Sequence, residues 1–180
     1  MDTTQLEHVA EDLISHELQR AGMLVAKPKF DRVGTDLLAF LEMGDGVKFC
    51  RIQCKGRSLA RSDSNIKVPE AYVSNGFVVV LYLDTGGERG DLYCFFANDI
   101  KQWHKTSLGE YQLSLGQTSS DAKLEFYRFD DSKIRLIESL IRSAETSGEF
   151  RGLVYGQGHL RAGSAQVVGY GTVDNPKDAT

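Results

Sequence analysis

The segment Phe49–Lys55, with the sequence Phe-Cys-Arg-Ile-Gln-Cys-Lys, is the most informative part of this chain. Side chains in a β-strand point alternately to the two faces of a sheet, so a strand over Val47–Lys55 separates polar from less polar side chains. One face then holds Arg51, Gln53 and Lys55, and the other holds Cys50, Ile52 and Cys54. We therefore predict a strand of a central sheet that carries an amide and an ammonium group side by side.

Length and composition are those of one globular domain. The chain has 180 residues, of which 41% are hydrophobic and 26% are charged. No apolar run is long enough to span a membrane, and the first residues are too acidic for a signal peptide. We predict a single domain over residues 1–150, a glycine-rich C-terminal extension over 151–180, and a cytoplasmic protein with no membrane partner. The three cysteines lack paired spacing, so we expect reduced thiols and no zinc site.

Basic residues are concentrated around the central motif, although the formal net charge is −4. Only Asp63 opposes them within this segment. The cluster comprises Lys48, Arg51, Lys55, Arg57, Arg61 and Lys67. Such a cluster can follow a phosphate backbone, but a solvated loop that happens to be basic explains it equally well.

Hydrophobic periodicity predicts an amphipathic helix over Thr4–Ala21, which ends at Gly22. A second strand over Val33–Glu42 would carry Asp36, and the turn at Gly44–Gly46 would join it to the central strand as a hairpin. The other predicted elements are a short strand at Met23–Lys27, one or two helical turns within 68–75, strands at Phe77–Leu83, Asp91–Phe96, Tyr111–Leu115 and Leu124–Phe129, and a helix at Asp131–Ala144.

The hairpin places Asp36 on the strand next to Gln53 and Lys55. Carboxylate and amide oxygens are ligands for a hard divalent cation, and a nearby ammonium can offset phosphate charge. The three residues are therefore candidates for metal-assisted phosphodiester hydrolysis.

Two short motifs, Gly34-Thr35-Asp36 and Ile52-Gln53-Cys54-Lys55-Gly56-Arg57, resemble those of the PD-(D/E)XK nuclease superfamily. The archaeal Holliday-junction resolvases and the Mrr-like restriction endonucleases look most similar. The resemblance covers roughly residues 5–84, and its glutamine form replaces the usual second acid by Gln53. It implies an α/β fold with a restriction-endonuclease-like αβββαβ core, in which helices flank a central mixed sheet.

The resemblance also implies roles for individual residues. Asp36 would be the main ligand of Mg²⁺ or Mn²⁺, Gln53 and the carbonyl of Cys54 would be further ligands, and Lys55 would orient water or stabilise charge. Glu11, about three turns before Gly22, would complete the site, with Glu7 and Glu17 as alternatives on the same helix. The expected DNA contacts are Arg51, Arg57, Arg61 and Lys67.

These implications give two hypotheses for function. The first is a divalent-metal-dependent DNA endonuclease, a hydrolase that acts as a homodimer or a higher homo-oligomer because a duplex has two strands to cut. The alternative is a catalytically inactive nuclease-fold module that binds nucleic acid or a protein partner.

Overall fold

The computed structural model describes residues 2–29, 33–44, 46–59, 63–87, 90–116 and 124–144, and the backbone of 168–169 and 171–172. Arg61 lies outside the described residues, as does most of the predicted extension over 151–180. The division into residues 1–150 and 151–180 therefore stays a prediction.

The elements follow one another along the chain with short connections. In chain order they are α1 (Thr3–Arg20), β1 (Leu24–Ala26), β2 (Leu37–Met43), β3 (Gly46–Ser58), β4 (Ser64–Pro69), a 3-10 turn (Glu70–Tyr72), β5 (Phe77–Asp84), β6 (Asp91–Phe96), α2 (Ala97–Ile100), β7 (His104–Lys105), β8 (Glu110–Leu115), a 3-10 turn (Glu125–Tyr127), α3 (Asp131–Ser143), β9 (Val168–Gly169) and β10 (Gly171–Thr172). Within the described part of the chain, no helix combines the length and the apolar character needed to cross a bilayer.

A five-stranded mixed sheet in the order β1-β2-β3-β5-β6 forms the centre of the fold. Its pairs are antiparallel except for β3 and β5, which run parallel. On one face, buried side chains of α1 and α3 pack against Cys50, Ile52 and Cys54. On the other, a three-stranded sheet in the order β4-β8-β7 packs against Val79 and Leu81. The predicted α/β class, with a central mixed sheet and flanking helices, is confirmed.

Helix α1 forms where the hydrophobic stripe predicts it. Asp2 caps its start, because the Asp2 carboxylate accepts the N–H of Gln5 while the Gln5 side chain accepts the N–H of Asp2. Gly22 follows its end with φ of +87°, a conformation that glycine adopts at little cost. The buried stripe of Leu6, Ala10, Ile14 and Leu18 then fixes the face that meets the sheet.

The second strand is shorter than predicted, and this changes the position of Asp36. Gly34 adopts φ of +62°, which turns the chain, so β2 begins at Leu37 and its first partner on β3 is Ile52. The prediction that Asp36 lies within a strand is wrong, because Asp36 immediately precedes β2. Strand β3, in contrast, is longer than predicted and continues to Ser58.

The connection from β3 to its parallel neighbour β5 also differs from the prediction. The chain forms strand β4 and a single 3-10 turn where one or two helical turns within 68–75 were expected. Ile66 and Val68 alternate with polar residues and are fully buried under the central sheet, which favours a strand. Residues Glu125–Tyr127 likewise form a 3-10 turn within the stretch predicted as a strand.

Candidate functional site

The candidate site lies at the edge of β3 over residues 53–58, where β2 no longer pairs with it. We call this open edge the notch. The pairing of β2 with β3 stops at Ile52, whereas the pairing of β3 with β5 continues to Ser58. The segment before β2 and the first turns of α1 therefore approach the edge of β3 that β2 leaves uncovered.

Asp36 attaches to this uncovered edge through its backbone and its side chain. Its N–H donates to the carbonyl of Ile52 at 2.9 Å, and its Oδ2 accepts the N–H of Cys54 at 2.6 Å. The carboxylate thus lies against the peptide backbone between Gln53 and Lys55. This brings together the aspartate and the Gln-x-Lys motif that the sequence linked.

Gln53 is buried, with only 5% of the residue exposed, and its Oε1 atom has no hydrogen-bond partner among the described residues. Gly34 lies against it: a Cβ atom at Gly34 would come within 2.6 Å of Gln53 Nε2 and 2.5 Å of the Tyr72 ring. A buried oxygen without a partner costs free energy, about 1–3 kcal/mol, unless something binds it. Gln53 Oε1 is therefore a candidate cation ligand.

Lys55 and Arg57 continue the polar face of β3, and both contact Glu7 of α1. The same carboxylate oxygen, Glu7 Oε1, lies 3.7 Å from Lys55 Nζ and 3.3 Å from a terminal nitrogen of Arg57. The approach of α1 depends on Gly56, because a Cβ there would lie 2.3 Å from the carbonyl carbon of Leu6. The helix carboxylate nearest the motif lysine is thus Glu7, which the sequence offered only as an alternative to Glu11.

Glu11 lies one turn further along α1 and is also buried, at 9% exposure. Its carboxylate forms an ion pair with Lys27, and His8 Nδ1 lies 3.6 Å from it. The pKa of Lys27 is raised, mainly by its hydrogen bond to Glu11 and further by the negative charges of Glu11, Asp12 and Asp36. Sequence reasoning missed Lys27, which follows β1 and carries no motif of its own.

The Cys54 side chain faces the hydrophobic core and takes no part in the polar site. Burial raises the pKa of its thiol well above the usual value, and the negative charges of Asp36 and Glu11 raise it further. The thiol stays protonated at neutral pH and is a poor metal ligand. Only the backbone carbonyl of Cys54 remains for the ligand role that the resemblance implies. All three cysteines are buried and form no disulfide, which agrees with the reduced thiols that the sequence predicts.

The described members of the basic cluster already have partners within the protein. Arg51 donates to the carbonyl of Tyr72 at 2.8 Å and to Ser74 Oγ at 2.9 Å. Lys67 Nζ lies 3.4 Å from Glu110. Arg57 donates to the carbonyl of Asn65 at 2.8 Å in addition to its contact with Glu7. Their role as DNA contacts stays a prediction.

The oxygen donors near the notch are of the type that a hard divalent cation takes as ligands. The carboxylate of Asp36, the amide oxygen of Gln53 and the carbonyl of Cys54 offer oxygen atoms, which Mg²⁺ and Mn²⁺ prefer. Among the residues that the structure describes, no three His, Cys, Asp or Glu side chains form a group that could hold a metal ion. A cation at Asp36 would therefore need amide or backbone oxygens as its other protein ligands.

Comparison with known proteins gives a distant structural likeness. No family model matches the sequence, and no curated protein matches it significantly. Among solved structures, the chain is similar to a bacterial homing endonuclease with 15% sequence identity and a TM-score of 0.49, over 77% of this chain and 93% of the other. A likeness this distant assigns neither a family nor an activity, so function has to be inferred from the residues of the site.

Proposed function

We propose that this chain is a divalent-metal-dependent DNA endonuclease that hydrolyses phosphodiester bonds. The observation that carries the proposal is the position of Asp36 beside Gln53. Its carboxylate is bound to the backbone next to Gln53, whose buried amide oxygen has no partner among the described residues. The resemblance of the two motifs to the PD-(D/E)XK superfamily supports the same assignment.

Asp36, Gln53 and the carbonyl of Cys54 would hold the cation. A bound Mg²⁺ or Mn²⁺ supplies a Lewis acid for the scissile phosphate and lowers the pKa of a bound water molecule. The N–H of Cys54 orients the Asp36 carboxylate, and close packing against Gly34 limits the movement of the Gln53 side chain. Both side chains would then need little rearrangement when a cation or DNA binds.

Lys55 would stabilise the negative charge that develops on the phosphate or orient the attacking water. Its ammonium group lies on the same face of β3 as Gln53, and the contact with Glu7 holds it at the notch. A DNA phosphate would compete with Glu7 for both Lys55 and Arg57. Arg51, Arg61 and Lys67 would add contacts to the backbone of the DNA, and a homodimer would present one site to each strand.

Nicking of supercoiled plasmid in Mg²⁺ or Mn²⁺ tests the proposal. We expect the wild-type protein to nick the plasmid, and Asp36→Asn and Lys55→Met each to lower the rate at least about 100-fold. Lys105→Met is a matched control, because Lys105 also pairs with a glutamate, Glu70 at 2.8 Å, but on the three-stranded sheet. Equal rates in all four proteins, or full activity in EDTA, would contradict the proposal.

A second candidate function is a module that binds nucleic acid without cleaving it. One observation favours it: Gln53 brings no negative charge to a cation. Such a module would bind DNA in a salt-dependent manner. Its affinity would change little with Mg²⁺ or with Asp36→Asn, and it would show no nicking in the plasmid assay.

A further inference from the structure

Glu11 already has a counter-ion within the protein. The Glu11 side chain is only 11% exposed, and its carboxylate meets the ammonium of Lys27 at the end of β1. The family resemblance would make Glu11 part of the metal site. The ion pair indicates that this carboxylate binds Lys27 instead of a metal ion.

Lys27 lies within the electrostatic field of both Glu11 and Asp36. Its pKa is raised first by the hydrogen bond to Glu11, and Asp36 adds a smaller electrostatic contribution in the same direction. The ammonium group is therefore charged beside Glu11, and its charge also acts on Asp36.

We propose that Lys27 is a positioning residue that acts as a built-in cation, so that Glu11 is not a metal ligand and the site takes one divalent ion, through Asp36 and Gln53. This inference rests on the proposed function, because it concerns the same site. It assigns different partners to the two carboxylates that the resemblance places together: Lys27 to Glu11 and the divalent ion to Asp36.

Physical chemistry favours Lys27 over a second divalent ion at Glu11. Lys27 is tethered to the fold, so its contact with Glu11 is intramolecular, whereas a free ion must be recruited from solution. Mg²⁺ also gives up its water molecules reluctantly and gains little from one additional carboxylate. A buried carboxylate without a counter-ion is unfavourable, and Lys27 removes that penalty whether or not a divalent ion is present.

Titration with Mn²⁺, followed by electron paramagnetic resonance of the free ion, counts bound ions without any need for turnover. We expect one ion per wild-type chain, an affinity lower than wild type for Glu11→Gln because Lys27 is then left without its counter-ion, and loss of binding for Asp36→Asn. Lys27→Met frees Glu11, so this variant should bind Mn²⁺ about tenfold more tightly or take a second ion. The double variant Lys27→Met/Glu11→Gln should return to wild-type binding, and Lys105→Met is the matched control.

Two results of this titration would overturn the inference alone. One is an affinity about tenfold lower in Lys27→Met/Glu11→Gln than in wild type, because Glu11 would then be a ligand. The other is unchanged binding in Lys27→Met. If the wild-type protein binds no Mn²⁺, the cation site fails and the proposed metal-dependent function fails with it.

Thermal unfolding in EDTA tests the ion pair without any metal. Lys27→Met leaves Glu11 buried without its counter-ion and should lower the Tm. Adding Glu11→Gln to that variant should recover most of the loss, because the neutral amide needs no counter-ion. Strictly additive effects of the two substitutions would show that Lys27 does not neutralise Glu11 and would overturn the inference.

Discussion

Strands β3 and β5 are parallel neighbours in one sheet, but their side-chain chemistry differs on one face only. Towards α1 and α3 they are alike, because Cys54 and its registered partner Val80 are both buried in the same core. On the opposite face, Gln53 pairs with Val79, and Lys55 pairs with Leu81. Forming a strand in this sheet therefore does not require the polar residues that β3 carries.

The difference follows from what covers each strand. β5 has a neighbouring strand on both sides, whereas β3 loses β2 beyond Ile52 and meets Asp36 and the first turns of α1 instead. Polar side chains at that edge can reach partners such as Glu7. Because β2 stops pairing with β3 at Ile52, the second half of β3 can carry polar side chains at an open edge.

The largest expected effect is on stability, when Leu81 of β5 or its registered partner Lys55 of β3 is shortened to alanine. Leu81→Ala should lower the free energy of unfolding by about 3 kcal/mol, because Leu81 is fully buried and its loss leaves a cavity. Lys55→Ala should cost less than about 1 kcal/mol, because it removes a partly exposed ion pair. Urea denaturation measures both values. Equal losses would show that β3 and β5 have the same structural role on this face.

The substitution Gln53→Leu makes β3 resemble β5 and should separate stability from activity. It removes a cation ligand, so plasmid nicking should fall at least about 100-fold, or by ~2.7 kcal/mol of transition-state stabilisation. It also removes a buried amide oxygen without a partner among the described residues, so stability should rise by about 1 kcal/mol. A variant that keeps its activity, or unfolds more easily than wild type, would contradict the role given to Gln53.

Gly34→Ala tests how tightly the notch holds Gln53. The new Cβ would collide with Gln53 and Tyr72 at a residue with positive φ, so we expect a loss of about 2 kcal/mol in stability. Gly22→Ala is the control, because Gly22 also has positive φ but has no atom within 4 Å of the added Cβ. The control should lose about 1 kcal/mol. Equal losses in thermal or urea denaturation would mean that the contact with Gln53 is unimportant.

The smallest effect is expected at Glu7. Glu7→Gln removes the negative charge that engages Lys55 and Arg57, so both cations become available to phosphate. Affinity for a DNA duplex should rise several-fold, which corresponds to about 1 kcal/mol, and its salt dependence should become steeper. Fluorescence anisotropy over a range of salt concentrations measures both quantities. Unchanged affinity would mean that DNA does not reach this face of β3.

The sequence contained enough information to predict the polar face and its link to Asp36. The alternation in Phe49–Lys55 predicts which side chains share a face, and the Gly44–Gly46 turn predicts the hairpin that brings Asp36 close. Both signals are local, because they depend on period and turn chemistry within about 20 residues.

The ion pairs that Glu7 forms with Lys55 and that Lys27 forms with Glu11 could not be predicted in the same way. Glu7 and Glu11 are one helical turn apart, and which of them reaches Lys55 depends on how closely α1 approaches Gly56. Lys27 meets Glu11 only through the packing of β1 and α1. Strand β4 was missed because its short alternating pattern becomes informative only once β8 pairs with it.

A crystal structure with Mn²⁺, analysed by its anomalous scattering, tests the cation site most directly. We expect one peak per chain in the notch, coordinated by the Asp36 carboxylate and by Gln53 Oε1, with Glu11 still paired to Lys27. A peak on Glu11 with Lys27 displaced would contradict the built-in cation. The absence of any peak at saturating Mn²⁺, with Gln53 Oε1 bonded to the protein instead, would contradict the metal-dependent nuclease itself.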